Sequence, residues 1–208
     1  MRTKLVNPVL DFINTLCNFV ALNLLFLITC LPVFTIGAAL SSLYYVTLRE
    51  ARGEYGYLIR PYLREFVRNL KKGTAAFAVL AAAGAALVFC LAFWFSLGTA
   101  LSACVTGLLA VALLVWLMTV TYTFPLIGRF ENTVRQTLKN AFCLMMSNVR
   151  PTLWLLLIYV LALCLCWFLP LMKLLMVLFG FAFIAYCQSY VLKGVFEPYE
   201  TAAERTLP

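Results

Sequence analysis

The side chains that carry most acid–base and metal chemistry are scarce in this sequence. Its 208 residues include eight cysteines and no histidine, so the commonest general base and zinc ligand is missing. Only two clusters place a carboxylate beside an apolar segment: Asp11 with Asn14, and Glu131 with Arg129 and Arg135. Charges at such boundaries are usually solvated or face lipid headgroups. We therefore predict no catalytic residue, no metal site and no cofactor, and we expect a protein that is not an enzyme.

The cysteines and glycines form no redox, metal or nucleotide motif. No CxxC pair occurs, and Cys164 and Cys166 would point about 200° apart on a helix. We interpret all eight cysteines as small apolar side chains that face lipid or neighbouring helices. Gly53 and Gly56 are not followed by the Lys-Ser/Thr pair of a phosphate-binding loop, which argues against ATP hydrolysis.

The composition is that of a membrane protein. Hydrophobic residues make up 64% of the chain and charged residues 12%, whereas soluble domains are about half apolar and about a quarter charged. We predict an all-α fold: a polytopic transmembrane helical bundle that forms a single domain over residues 1–208. A helix of about 20 residues crosses the hydrocarbon, and five segments are predicted as spans: 19–44, 74–97, 104–125, 152–169 and 174–192.

Proline and small residues indicate where these spans bend or pack. Pro32 lies inside the first span and removes a helical hydrogen bond, so we predict a bend at residues 29–31, with Thr29 helping to satisfy the freed backbone. Gly37 and Ser41 lie four residues apart, which predicts the close approach of another helix. The second span has a similar repeat of small residues, at Ala78, Ala82 and Ala86.

Two basic segments follow the first and third spans. Residues 49–72 contain seven Lys and Arg against three Glu, and residues 126–151 contain four against one. Each has the apolar stripe of an amphipathic helix and is predicted to lie on the membrane surface. Its basic side chains are expected to contact anionic lipid headgroups, and nucleic acid is not an expected partner.

Positive charge accumulates on the cytoplasmic side of membrane proteins, so these segments and the C-terminus are predicted to be cytoplasmic. With five spans, the N-terminus then lies outside. The alternative is that Arg2 and Lys4 remain cytoplasmic and the first apolar segment re-enters the membrane.

The two halves of the chain share an order of features. Each contains an apolar segment, a proline and then a glycine, a basic helix and another apolar segment; the pairs are Pro32 with Gly37, and Pro125 with Gly128. An ancestral duplication would produce this order, and so would the general pattern of membrane proteins.

Two segments resemble the signature segments of the YesL-like family of bacterial integral membrane proteins, a domain-of-unknown-function family. The first contains LPVFTIG at residues 31–37, followed by Tyr44 and Tyr45, and the second contains FPLIGRFENT at residues 124–133. The resemblance implies a small multi-span protein of the bacterial cytoplasmic membrane, often encoded near carbohydrate ABC transporters, and it assigns no reaction. The candidate functional residues are therefore those of the two signatures: Pro32, Gly37, Pro125, Gly128, Arg129, Phe130, Glu131 and Asn132.

We expect a non-enzymatic accessory protein linked to carbohydrate uptake by an ABC transporter or to its regulation, with a permease contacting the basic helices. The alternative is a small-solute transporter or channel in its own right, with polar side chains along its path: Asn23, Thr119, Thr121 and Gln188. The small-residue faces are also compatible with a homo-oligomer.

Overall fold

The structure, a computed structural model, describes residues 8–54 and 56–205, and all secondary structure in that part is helical. The helices are α1 (Pro8–Cys30), α2 (Ile36–Ala51), α3 (Ile59–Ser96), α4 (Ala100–Arg129), α5 (Val134–Ser147), α6 (Val149–Phe168), α7 (Pro170–Leu175) and α8 (Phe181–Arg205). A 3-10 turn, Val33–Thr35, precedes α2, and a π-helical turn, Met176–Gly180, joins α7 to α8. The all-α prediction is confirmed.

Four helical segments are long and apolar enough to cross a membrane: Ile59–Ser96, Ala100–Arg129, Val149–Phe168 and Pro170–Tyr199. They correspond to the second to fifth predicted spans. The apolar part of α1, Thr15–Cys30, is a shorter helix.

Pro32 separates α1 from α2. Thr35 donates its hydroxyl hydrogen to the carbonyl oxygen of Thr29 at 2.6 Å, and the hydroxyl of Thr29 pairs with that of Tyr62 at 2.5 Å. A break in a membrane helix is tolerated where side chains satisfy the freed backbone groups. The predicted bend is confirmed, although Thr35 rather than Thr29 supplies the donor to the carbonyl at the break.

Helices α1 and α2 run in opposite directions, as their contacts with α8 show. Two aromatic pairs join α1 to α8, with ring centroids 5.2 and 5.9 Å apart: Phe19 with Tyr186, and Phe26 with Phe181. The residue numbers on α8 fall as those on α1 rise, so these two helices are antiparallel. Two hydrogen-bonded pairs join α2 to α8: Thr47 with Ser189 at 2.8 Å, and Ala51 with Lys193 at 3.5 Å. The residue numbers on α8 rise with those on α2, so these two helices are parallel.

The prediction of residues 19–44 as one crossing is therefore wrong. The segment is an antiparallel hairpin that begins and ends on the same side of the bundle, because the break at Pro32 reverses the chain. The apolar side chains at its tip are exposed, with Leu31 at 79% and Phe34 at 62%. Arg2 and Lys4, on which the alternative topology depended, lie outside the described residues.

The first basic segment does not form a separate surface helix. Residues 59–72 and the second predicted span belong to one 38-residue helix, α3, which is about 57 Å long at 1.5 Å per residue. The second basic segment does contain a separate amphipathic helix, α5, whose buried side chains lie on one face: Thr137, Ala141, Leu144 and Met145.

Glycines bring the backbones of α2, α3 and α4 together. A Cβ atom added to Gly37 would overlap the carbonyl group of Gly73, and one added to Gly128 would lie 2.5 Å from the carbonyl oxygen of Ser41. The predicted close approach at Gly37 and Ser41 is thus confirmed, with α3 on one side of α2 and α4 on the other.

The predicted packing face of α3 is wrong, because Ala78, Ala82 and Ala86 are exposed. The buried stripe lies on another face of the helix: Gly73, Ala76, Leu80 and Gly84. Trp116 of α4 explains this orientation, since its indole nitrogen donates to the carbonyl oxygen of Leu80 at 3.1 Å and its ring packs against Gly84.

Candidate functional site

The second signature connects α4 to α5 at one end of the bundle. Helix α4 ends at Arg129, Phe130 is extended, and the side chain of Thr133 caps α5 by accepting from the backbone N–H of Gln136 at 3.4 Å. The ring of Phe130 contacts Phe196 of α8 edge-on, with centroids 5.9 Å apart. The signature therefore joins the α4–α5 connection to the last helix.

A cavity of about 230 Å³ opens between α4, α5 and the end of α8. Its apolar side chains are Leu126, Phe130, Leu144 and Phe196. Its polar or sulfur-containing side chains are Asn132, Asn140, Cys143, Ser147 and Tyr199. We call this cavity the end groove. Its amide and hydroxyl groups can donate and accept hydrogen bonds, and its apolar wall can bury a large side chain.

Two of the eight candidate residues, Phe130 and Asn132, line the end groove. Glu131 is exposed and Arg129 is partly buried, and neither lines it. Pro32 and Gly37 belong to the hairpin, and Pro125 and Gly128 are buried in α4. The structure thus separates the candidates into a groove pair, four residues that shape or pack the helices, and Arg129 and Glu131, which flank the groove pair in sequence without lining the cavity.

The end of the bundle around the groove carries more basic than acidic side chains, although Glu197 of α8, next to the groove residue Phe196, is also exposed. Arg135 and Lys139 of α5 and Arg150 of α6 are exposed, and Glu131 is the one acidic residue in the segment 126–151. Exposed basic side chains also lie on the first turns of α3, at Arg60 and Arg64. We call this the basic end.

Asn23 holds the π-helical turn from the α1 side. It is fully buried; its Oδ1 accepts from the N–H of Ala182 at 3.0 Å, and its Nδ2 donates to the carbonyl oxygens of Val177 at 2.7 Å and Met176 at 3.3 Å. A π-helical turn interrupts the regular backbone pairing of a helix. The amide of Asn23 pairs with the backbone groups at this interruption.

Gln188 belongs to a second polar cluster in the interior. The hydroxyl of Tyr44 donates to Oε1 of Gln188, and the hydroxyl of Tyr159 lies close enough to interact with that of Tyr44. Thr121 donates to the hydroxyl of Tyr159 at 3.5 Å. The two tyrosines were not among the sequence candidates, because a tyrosine in an apolar segment is usually a packing residue.

The residues predicted to line a solute path are not all brought together. Gln188 and Thr121 share the tyrosine cluster, whereas Asn23 bonds to the π-helical turn. Thr119 donates to the carbonyl oxygen of Val115 at 2.8 Å and lies beside Met145. Its side chain therefore lies on the α5 side of α4, away from the other three.

The buried carboxylate of Glu65 is structural in its contacts. Glu65 of α3 is 3% exposed, pairs with Arg68 at 3.1 Å and accepts from the side-chain amide of Asn69 at 3.3 Å. Within the described ranges, no three cysteine, aspartate or glutamate side chains are grouped to hold a metal ion.

The fold and its four long apolar helices define a membrane-embedded helical protein. Residues 19–91 match the family described as "Protein of unknown function, DUF624". The match covers less than half of the chain: the hairpin and most of α3, including the Gly37–Gly73 crossing, with the end groove outside it. No curated protein and no solved structure matches the chain.

Proposed function

We propose that this chain is a non-enzymatic accessory protein of the bacterial cytoplasmic membrane whose end groove binds a cytoplasmic segment of a carbohydrate ABC transporter permease. The end groove carries the proposal, because three residues of the second signature, Leu126, Phe130 and Asn132, line this open cavity. The link to carbohydrate uptake rests on the YesL-like resemblance.

The chemistry of the groove specifies the segment that would fit it. Leu126, Leu144 and Phe196 offer an apolar surface for one large aliphatic or aromatic side chain, while Asn132 and Asn140 can pair with the backbone of a peptide. The surrounding basic residues favour acidic residues beside that side chain, since complementary charge steers association and fixes register. The proposed partner segment is thus apolar with acidic flanks.

We infer that the basic end faces the cytoplasm, because positive charge accumulates on that side of membrane proteins. Arg60 and Arg64 on the first turns of α3, with Lys71 and Lys72 further along, are exposed and are proposed to contact anionic headgroups. The groove would then lie beside the membrane surface, where the cytoplasmic loops of a permease are within reach.

A groove-filling substitution tests this function in cells. We compare uptake of several carbohydrates in a strain lacking the gene and in strains that carry wild-type, Asn140→Trp or Gln136→Trp protein. Asn140 lines the groove, whereas Gln136, one turn earlier on α5, is exposed and does not. We expect uptake of at least one carbohydrate to be lost in the deletion strain, restored by wild type and Gln136→Trp, and not restored by Asn140→Trp.

Two results would contradict the proposal. Normal uptake of every carbohydrate in the deletion strain would remove the link to carbohydrate uptake. Solute flux through liposomes that contain only this protein would instead favour the transporter alternative.

A further inference from the structure

Two cavities adjoin between α6 and the α7–α8 segment. The larger, about 340 Å³, is lined by apolar and sulfur-containing residues. The smaller, about 240 Å³, adds three polar side chains: Tyr44, Tyr159 and Gln188. Four residues line both cavities: Ala162, Cys166, Met176 and Ile184. We call the pair the α6–α8 cleft. Its larger part lies within the usual volume range of small-molecule sites.

Gln188 supplies an unused donor to this cleft. Its side chain is fully buried, and its Nε2 donates to no group in the part of the chain that the structure describes. The hydroxyl of Tyr44 donates to Oε1, which fixes the amide so that the NH₂ group is left over. A buried donor without an acceptor costs about 1–3 kcal/mol, and a ligand oxygen at this position would recover that energy.

The lining of the cleft selects an uncharged ligand from the bilayer. No charged residue is among the residues that line either cavity, so a charged headgroup would be buried without a partner. The helix surfaces beside the openings carry exposed apolar side chains, Leu161, Leu163 and Phe183, which are suited to contact with lipid. A molecule that is dissolved in the membrane can therefore enter sideways.

The wall of the cleft is also held in place. The π-helical turn Met176–Gly180 contributes Met176, Phe179 and Gly180 to the lining, and Asn23 bonds to its backbone from the opposite side. π-Helical turns occur frequently at functional sites.

We propose that the α6–α8 cleft binds one uncharged membrane lipid. Its acyl or isoprenoid chain occupies the larger, apolar cavity. A hydroxyl or carbonyl oxygen accepts a hydrogen bond from Nε2 of Gln188 in the smaller cavity. The site is separate from the end groove, so it does not depend on the proposed transporter partner.

Photolabelling of the purified full-length protein in mild detergent tests this site. The probe is a diacylglycerol that carries a diazirine on one acyl chain, and the charged comparison is phosphatidylglycerol with the same chain. We expect saturable labelling of α6 and α8 peptides by the diacylglycerol, identified by mass spectrometry, and at least tenfold less by phosphatidylglycerol.

Four substitutions separate the parts of the proposal. Ala162→Phe fills the position shared by both cavities and should abolish labelling, whereas Leu157→Phe on the same helix, which lines neither cavity, should not. Gln188→Leu should weaken labelling roughly fivefold, the equivalent of one hydrogen bond of about 1 kcal/mol. Tyr44→Phe keeps the amide donor and should retain labelling, which separates loss of the donor from loss of the Tyr44 contact.

The variants are compared only where circular dichroism and gel filtration match wild type. Equal labelling of wild type and Ala162→Phe, or equal labelling by the two lipids, would overturn the proposal. Labels spread over the exposed helix surfaces would overturn it as well, because they would indicate probe dissolved in the detergent around the protein rather than a bound lipid.

Discussion

Replacing Asn23 with leucine should destabilise the bundle more than any nearby lipid-facing change. The substitution keeps the number and branching of the side-chain heavy atoms. It removes the amide that pairs with two carbonyl groups of the π-helical turn and with the N–H of Ala182 just after it. Because those groups lie between apolar helices, water cannot easily replace the lost partner.

The magnitude follows from the three hydrogen bonds. Each hydrogen bond contributes about 0.6 kcal/mol if it has the average strength measured within membranes, and about 1.5 kcal/mol if it has the upper value for hydrogen bonds in proteins. The expected loss for Asn23→Leu is therefore roughly 2–4.5 kcal/mol. We would measure it by titrating the protein in mixed micelles with sodium dodecyl sulfate and following helix content by circular dichroism.

Leu24→Ala is the matched control, since Leu24 is the next residue along α1 and is 43% exposed. It should change the unfolding free energy by less than about 0.5 kcal/mol. If Asn23→Leu lost no more than this control, the reasoning would be refuted, because the π-helical turn would then be stable without its amide partner.

Three further predictions concern packing and topology. Gly37→Ala should lower the unfolding free energy by about 1–3 kcal/mol, because the new methyl group overlaps Gly73. Gly107→Ala, which has open space inside α4, should raise it by about 0.4–1 kcal/mol, and equal effects would contradict the crossing. A reporter that is active only in the cytoplasm should be active when it is fused to the N-terminus, since the hairpin begins on the same side as the basic end. Activity of a reporter that works only after export would contradict this. Cys143, which is exposed and lines the end groove, should react with an impermeant maleimide in inside-out but not right-side-out vesicles, and the reverse would place the groove outside.

The helical class follows from composition, because a chain with so many apolar residues and so few charged ones is typical of a bundle of membrane-spanning helices. The break at Pro32 was also predictable, since proline has no N–H to donate. The reversal of the chain at this break was one of two topologies that the sequence left open, because the direction of α2 depends on the contacts of Thr47 and Ala51 with α8, about 140 residues later.

The length of α3 was misjudged because the basic residues end at Lys72. That change marks the edge of the membrane, whereas the backbone remains helical through Gly73. The two proline–glycine pairs also differ locally: Pro32 ends a helix and Pro125 lies inside α4. The shared order of features is compatible with a duplication and with the general pattern of membrane proteins alike.

The candidate site was predictable only in part. Phe130 and Asn132 came from the signature, but the groove is completed by Phe196 and Tyr199 of α8, whose positions depend on long-range packing. The π-helical turn has no local signal, since its sequence MVLFG is simply apolar, and its partner Asn23 lies about 150 residues earlier.

Cross-linking from the end groove in native membranes tests the central claim most directly. A photoreactive amino acid would replace Asn140 in one strain and the exposed Gln136 in another, and the cross-linked products would be identified by mass spectrometry. We predict that position 140, and not position 136, captures a cytoplasmic segment of an ABC permease that is apolar with acidic flanks. Products from position 140 that contain only lipid, or the same proteins captured equally from both positions, would contradict a partner bound in the groove.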